Sequence, residues 1–256
     1  MALITFISDL GLKDYYAAAI KGAIISHCET YVPIVDITHS VKAFDIREAA
    51  YTLRNSYHYF PKGTIHIVHI NSTDADRRVL IAKHDGHYFL TFDNGILSLA
   101  FGSTPHETYQ INDELTEGDS LLFENCISRA INLLLTEYKP SDFAHLTTNA
   151  VNYRALQPVI GPSSIRGTVV YIDNYGNAIT NITEKMFRDF TGGRKYSVLV
   201  NVGSTKTLST TYSDVEEGEM VCLINTSGNL EIAINKGKAV NLLGLKEEST
   251  VIVTLD

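Results

Sequence analysis

Asp9 stands just past an apolar run, residues 3–7, which reads as a buried strand closed by Ser8, Leu10 and Gly11. Ligands of open parallel sheets bind at the carboxyl ends of strands, and a carboxylate placed there can accept both hydroxyls of a ribose. A helix-capping or loop-turn aspartate would look the same in sequence. A second candidate group is Asp173-Asn174-Tyr175-Gly176-Asn177, followed by Thr180-Asn181-Ile182. It packs a carboxylate, an aromatic ring and several amides into a turn between two strands. A plain hairpin accounts for it equally well. A small ligand carrying an ammonium group and a heteroaromatic ring, however, would need a charge partner, a stacking face and amide hydrogen bonds.

Other chemistries find less support. His66 and His69 lie on one strand with His58, His84 and His87 nearby in sequence, but none forms the HExxH pattern of a zinc helix. Three positions apart on a strand, His66 and His69 face opposite sides and cannot easily share a metal. No metal site is expected. No GxGxxG follows the first strand and no Walker-type loop occurs, so neither NAD nor a P-loop nucleotide is indicated, and no cofactor is expected. Cys28, Cys126 and Cys222 each sit in an apolar stretch without a CxxC pairing, as reduced, buried thiols do.

These candidates need elements to position them. From Asp14 the spacing of Ala17, Ala18, Ile20, Ile24 and Ile25 suits a helix, and residues 32–38 read as a second strand. Asp45 is placed to cap a further helix, with Glu48 three residues on as in a capping box and Ile46, Ala49, Ala50, Leu53 and Tyr57 on its apolar face. Residues 64–70 make a third strand. Residues 79–84 and 87–92 flank Asp85-Gly86 as a hairpin, closed by Asp93-Asn94-Gly95, and a longer helix spans about 120–138. The β, α, β, α, β order implies a mostly parallel sheet flanked by helices. After an irregular stretch through Pro158 and Pro162, short β-rich runs recur from Gly167 onward, an antiparallel sandwich or barrel. The expected fold is therefore α/β over residues 1–155, with a smaller all-β, barrel-like domain over 156–256.

The 256 residues carry a formal net charge of −8, with acidic and basic residues dispersed, so no footprint for a phosphate backbone exists and nucleic acid is not an expected partner. No run of apolar residues is long enough to span a membrane and no signal peptide opens the chain, which points to the cytoplasm.

Taken in order, S-D-L-G-x-x-D at 8–14 with Lys21-Gly22, D-I-T-H at 36–39, F-D-I at 44–46, F-P-x-G-T at 60–64, D-N-G at 93–95 and D-N-Y-G-N-x-x-T-N-I at 173–182 resemble one family, and do so over nearly the whole chain. It is the S-adenosyl-L-methionine hydroxide adenosyltransferases, relatives of fluorinase and chlorinase. The resemblance implies an α/β nucleoside-binding domain, a C-terminal β-barrel, and a homotrimer with sites between one subunit's first domain and its neighbour's second. By position it makes Asp9 the ribose-binding aspartate, Phe44 the aromatic beside the ligand and Asp173 the partner of the methionine ammonium. Tyr175 and Asn177 become adenine-side contacts, Asn225, Ser227 and Asn235 fall in the second adenine-side segment, and Asn94 and Phe123 join the ligand set.

Members of the family join a nucleophile to C5′ and expel methionine, and the hydroxide-using members are understood to handle water with an Asp, Arg and His constellation. Arg78 keeps the arginine position. Asn71 stands where the aspartate is expected and Phe123 where the histidine is expected. Neither can accept a proton near neutral pH, which leaves Glu124 and Asp74 as candidate substitutes. The long fluorinase insertion is absent between Arg78 and Asp93, and Phe123-Glu124 replaces its Tyr-Ser pair. Two readings stay open: a hydrolase giving adenosine and L-methionine, weakened by Asn71 and Phe123, or a catalytically impaired protein that binds S-adenosyl-L-methionine or adenosine.

Overall fold

Every side chain of β1 (Ile4–Ser8) and of β3 (Ile65–His69) is buried, as in strands covered on both faces. The computed structural model describes residues 2–70, 78–112 and 122–256, apart from the side chains of 122–124, and the chain divides into two compact units, residues 1–155 and 156–256.

In the first unit the remaining elements are α1 (Tyr16–His27), β2 (Ile34–Thr38), α2 (Ile46–Ser56), β4 (Val79–His84), β5 (His87–Phe92), α3 (Ile96–Phe101), β6 (Glu107–Ile111), α4 (Leu122–Leu135) and β7 (Ala144–Leu146). The sheet runs β2-β1-β3-β5-β4-β6-β7. The first four strands are parallel neighbours, whereas β4, β6 and β7 are joined by antiparallel pairings, so the sheet is mixed with most strands pointing one way. Side chains alternate between its two cores. Ile4, Phe6, Ile65 and Ile67 pack with Ile20 and Ile24 of α1 and Ile127 and Ile131 of α4. Ile7, Val68 and Phe89 pack on the other face with Ala49 and Leu53 of α2 and Ile96 and Leu97 of α3. Each fully buried aliphatic side chain contributes about 1.5–3 kcal/mol, and this two-sided burial is what holds the strand ends in place.

The local signals act as their chemistry requires. Asp85 and Gly86 both take positive φ (47° and 78°), the geometry of a two-residue hairpin turn whose twist matches its strands. The Asp45 carboxylate accepts from the amides of Arg47 and Glu48 and so caps α2. The Asp45 amide donates to Lys42 O, and Glu48 Oε2 takes the Lys42 amide, so the reciprocal bonding reaches one turn further back than a simple capping box. Helix α3 and strands β6 and β7 were not legible in sequence. They are short, and α3 begins where Gly95 adopts φ 84° directly against Tyr153, whose ring occupies the space a Cβ would need. The longer helix covers 122–135 of the expected 120–138, with residues 113–121 outside the described set.

The second unit holds β8 (Val159–Ile160), β9 (Ser164–Ile172), β10 (Ala178–Thr183), α5 (Glu184–Thr191), β11 (Tyr196–Leu199), β12 (Ser204–Thr205), β13 (Met220–Ile224), β14 (Asn229–Ile234), α6 (Ala239–Leu242) and β15 (Thr250–Leu255). Its antiparallel sheet runs β12-β11-β15-β9-β10-β14-β13, with β8 beside β9. The Ser209 amide donates to Cys222 O at 2.7 Å, drawing the two edges together into a nearly closed barrel. Its core includes Ile165, Ile182, Phe187, Leu230, Ile232 and Val253. Strand β9 serves two neighbours, β15 along its first half and β10 along its second. Gly167 sits at that changeover, where a Cβ would meet Ile182 Cγ1 at 2.5 Å. Helix α5 is capped by Thr183, whose hydroxyl accepts from the Met186 amide, and ends at Gly192 with φ 53°.

One buried polar cluster lies away from the strand ends. His66 is hydrogen-bonded through Nδ1 to Thr5 Oγ1 (2.7 Å) and through Nε2 to His87 Nδ1 (3.2 Å), with Phe89 stacked on its ring and Tyr57 and Phe60 at its edges. Burial, reinforced by the neighbouring His87, pushes His66 down from 6.5 to about 3, and burial also lowers His87. The fold therefore holds both rings neutral. An unfolded chain takes up these protons first as pH falls, so the stabilisation is complete above about pH 6.5 and drains away toward pH 3. Melting temperature should accordingly drop as pH is lowered from 6.5 to about 4, and His66→Phe should flatten that decline. Parallel profiles for parent and variant would remove His66 as its source.

Candidate functional site

The carboxyl end of β1 turns away from the sheet at Asp9. The Asp9 amide donates to His69 O, at the end of β3, at 3.4 Å, and its side-chain Oδ2 accepts from the Phe44 amide at 2.9 Å. Phe44 is held there at φ 68°, a left-handed conformation that costs a residue with a Cβ roughly 1–2 kcal/mol, and its ring is left 59% exposed. A partly exposed carboxylate and an unshielded aromatic face thus stand together where ligands of such sheets bind.

Arg78 and Asn94 belong to the same unit but have prior engagements. The Arg78 guanidinium is ion-paired to Asp93 and donates to Oδ1 and to the backbone oxygen of Asn149 (2.9 and 3.2 Å). Asp93 is almost wholly buried and also takes the Val151 amide at 2.8 Å. Asn94 donates to Ile70 O and accepts from the Ile96 amide, linking the end of β3 to the start of α3. Asn71 and Asp74 lie outside the described residues. Phe123 and Glu124 fall in the first turn of α4, and their side chains are likewise outside the description.

In the second unit the turn 173–177 joins β9 to β10 as a hairpin, and its aspartate builds it. Asp173 Oδ1 accepts from the amides of Tyr175 (2.9 Å) and Asn177 (2.8 Å), and Oδ2 accepts from Asn177 Nδ2 (3.0 Å). A carboxylate offers about four acceptor positions, so room for one further donor remains. Tyr175 is 74% exposed, while Asn177 is buried. Asn225 Oδ1 organises the next turn by accepting from the amides of Ser227 and Asn229. Asn235 lies at the opposite end of β14 and donates to Val215 O.

Two residues that the sequence reading passed over join this group. Glu231, in the middle of β14, is only 3% exposed and accepts from the Tyr212 hydroxyl at 2.8 Å. Burial raises the Glu231 carboxyl, the Tyr212 and Asn225 hydrogen bonds pull it back, and the Asp173 charge raises it further. Burial and the Glu231 contact push the Tyr212 phenol well up, so it stays a donor. An ionisable residue inside the apolar run L-E-I-A-I was the signal available in sequence.

Among the described residues no cluster of three or more His, Cys, Asp or Glu is placed to hold a metal, and no helix is long and apolar enough to cross a membrane. Burial pushes Cys126 up to about 12 and raises Cys222 as well, which keeps both thiols un-ionised.

Comparison with known proteins is consistent across both units. Residues 4–126 match the SAM hydroxide adenosyltransferase N-terminal domain and residues 167–252 the corresponding C-terminal domain. An (R)-S-adenosyl-L-methionine hydrolase of Thermus thermophilus is 27% identical over 260 residues, covering 96% of this chain and 97% of that protein. The enzyme of the same name from Methanocaldococcus jannaschii is 27% identical over 269 residues, with 95% and 92% covered. A fluorinase of Actinoplanes sp. is 40% identical over 63 residues, which is 25% of this chain and 21% of that protein. Among solved structures, an uncharacterized conserved protein from Thermotoga maritima superposes with a TM-score of 0.85 at 24% identity, covering 99% and 100% of the two chains. A conserved hypothetical protein from Thermus thermophilus gives 0.78 at 26%, with the same coverage. With both of its domains matched in order over most of its length, this chain belongs to the SAM hydroxide adenosyltransferase family and is related to fluorinase.

Proposed function

We propose that this protein hydrolyses S-adenosyl-L-methionine to adenosine and L-methionine, with the first unit as the nucleoside-binding domain. The observation that carries the reading is the Asp9 carboxylate at the end of β1, bonded to the Phe44 amide, in a chain whose full-length relatives include proteins named (R)-S-adenosyl-L-methionine hydrolase. Asp9 takes the ribose hydroxyls, Phe44 lies beside the nucleoside, and the remaining acceptor capacity of Asp173 takes the methionine ammonium. Tyr175, Asn177, Asn225, Ser227 and Asn235 serve the adenine side, and Asn94 steadies the strand end beneath. Water oxygen forms a bond to C5′ as the C5′–S bond breaks. The bonding pair leaves with sulfur, so methionine departs neutral at its thioether and needs no acid.

The water must lose a proton, and here Asn71 and Phe123 offer no acceptor. Glu124 and Asp74 are the carboxylates assigned to that step, with Arg78, fixed by Asp93 and Asn149, as the orienting cation. The second reading, a binding protein with impaired turnover, is favoured by that same pair of substitutions.

Incubation with S-adenosyl-L-methionine in isotopically labelled water should give labelled adenosine, and Asp9→Ala should weaken binding at least about tenfold, the worth of a hydrogen bond to a charged group. Tight binding without product would favour the impaired reading, and unchanged affinity in Asp9→Ala would undo the site. Tyr212→Phe, which keeps the ring but severs it from Glu231, should weaken nucleoside binding by about threefold to tenfold with turnover of bound substrate unchanged; equal affinities by calorimetry would remove Tyr212 from the site. We further assign a homotrimer whose sites join the first unit of one copy to the second of its neighbour, and light scattering should return three times the mass of the chain. A stable, active monomer would overturn that assembly.

A further inference from the structure

Behind Asp9 runs a chain of polar contacts through three elements, α1, β2 and β1, and the loop after β2. Lys21 Nζ of α1 pairs with Asp36 Oδ2 of β2 at 2.6 Å, and Asp36 Oδ1 faces His39 Nε2 at 3.2 Å. His39 Nδ1 meets Ser8 Oγ at 2.7 Å, and Ser8 Oγ accepts from the Leu10 amide at 3.4 Å. The backbone oxygen of His39 also takes the Gly11 amide at 2.8 Å. The chain therefore ends on the two amides that come after Asp9.

We propose that His39 is a positioning residue that fixes the Asp9 loop through Ser8, with Asp36 and Lys21 setting its orientation. The inference rests on Asp9 being the ribose-binding carboxylate. A Ser, His and Asp in series is also the composition of a hydrolytic triad, but Ser8 is 0% exposed and the imidazole beside it is buried, so its hydroxyl meets no substrate. Its task is internal. The Asp36 carboxylate, 3.2 Å from Nε2 but not aligned for a hydrogen bond, favours a proton on that nitrogen by its charge; with the proton there, Nδ1 accepts from Ser8 and the serine lone pairs are left to face Leu10. The hydrogen bonds point one way, from the loop amide through Ser8 to His39, and end beside the Lys21-neutralised carboxylate.

The sheet is irregular at this place for no other visible purpose. Phe6 pairs with Asp36 but Ile7 with Thr38, so Ile37 is an extra residue in β2, a bulge of the kind that re-aims a strand end. With the bulge, Asp36 and His39 come round to the end of β1, where His39 also packs edge-on against Phe6 at 4.8 Å. Ser8, Asp9 and the next residues of the loop are thereby held from behind while Phe44 holds Asp9 from the front.

The test uses variants that cut the chain at known links. An asparagine places its amide near the imidazole Nδ1 and a glutamine near Nε2, so His39→Asn keeps the Ser8 link and His39→Gln keeps only the Asp36 link. Asp36→Asn removes the charge at a side chain that is 42% exposed, where folding is not at risk. Amide hydrogen exchange by NMR on ligand-free protein reads the loop, and calorimetry with adenosine reads the site. His39→Gln should exchange about tenfold faster at Leu10, Gly11 and Phe44 than the parent, with Ile67 and Leu90 unchanged, and should bind adenosine about tenfold more weakly. His39→Asn and Asp36→Asn, which both keep the Ser8 link, should stay within about threefold of the parent on both readouts.

Unchanged exchange at Leu10 and Gly11 in His39→Gln would overturn the proposal, as would exchange in His39→Asn as fast as in His39→Gln. So would faster exchange spread evenly to Ile67 and Leu90, which is general loosening, or faster loop exchange with adenosine affinity intact. Should the parent bind no nucleoside at all, the functional reading falls, while exchange in the ligand-free protein still decides whether His39 holds the loop.

Discussion

The hydrogen bond from the Phe44 amide to the Asp9 carboxylate ties the end of the most enclosed strand to the beginning of α2. β1 is buried on both faces, so the backbone it delivers to the sheet edge cannot shift without disturbing two cores. The loop after β1 must therefore find its partners locally. Asp9 finds one in an amide whose residue is held at φ 68°, and a bond to a charged group, worth about 1.5–3 kcal/mol, is enough to offset that strain. Asp45, capping α2 immediately afterwards, adds about 1 kcal/mol more to the same geometry. The carboxylate is thus oriented by the fold itself, which on the proposed reading spares a ligand the cost of ordering it.

The second unit solves a related problem with two acids. Asp173 uses most of its acceptor capacity on its own hairpin and so is held in place at the end of β9. Glu231 is driven beneath Tyr212, where burial and the nearby Asp173 disfavour its charge and the Tyr212 hydroxyl favours it. A ring that would otherwise swing on a loop is pinned at its far end. The turn reading and the binding reading of Asp173, equally good in sequence, are compatible for the same reason: the bonds that build the turn are the bonds that aim the carboxylate.

On the proposed reading, the departures at Asn71 and Phe123 bear on a single step, deprotonation of water. The Asp9 and Phe44 pairing and the Asp173 turn are built by hydrogen bonds to other residues. On that reading, the residues assigned to the nucleoside and the amino acid are distinct from those assigned to the nucleophile. A sulfonium leaving group asks little of the protein on the other side of the reaction, so retained binding with altered water handling is chemically coherent.

The two-part organisation, the Asp85-Gly86 hairpin, the Asp45 cap and the positions of Asp9 and Asp173 were all legible in the chain before it folds. Each of these is a local matter: apolar periodicity, a turn that needs positive φ, or a side chain that bonds amides within a few residues. Folding in three dimensions was needed to make the sheet mixed, to start α3 where Gly95 meets Tyr153, to commit Arg78 to Asp93 and Asn149, and to rest Tyr212 on Glu231. The same holds for the path from Lys21 through Asp36 and His39 to Ser8, whose members are separated by up to 31 positions along the chain. Contacts of that kind leave no periodic trace, because what selects their partners is proximity created by packing, and a buried polar group must find its partner wherever the fold has brought one.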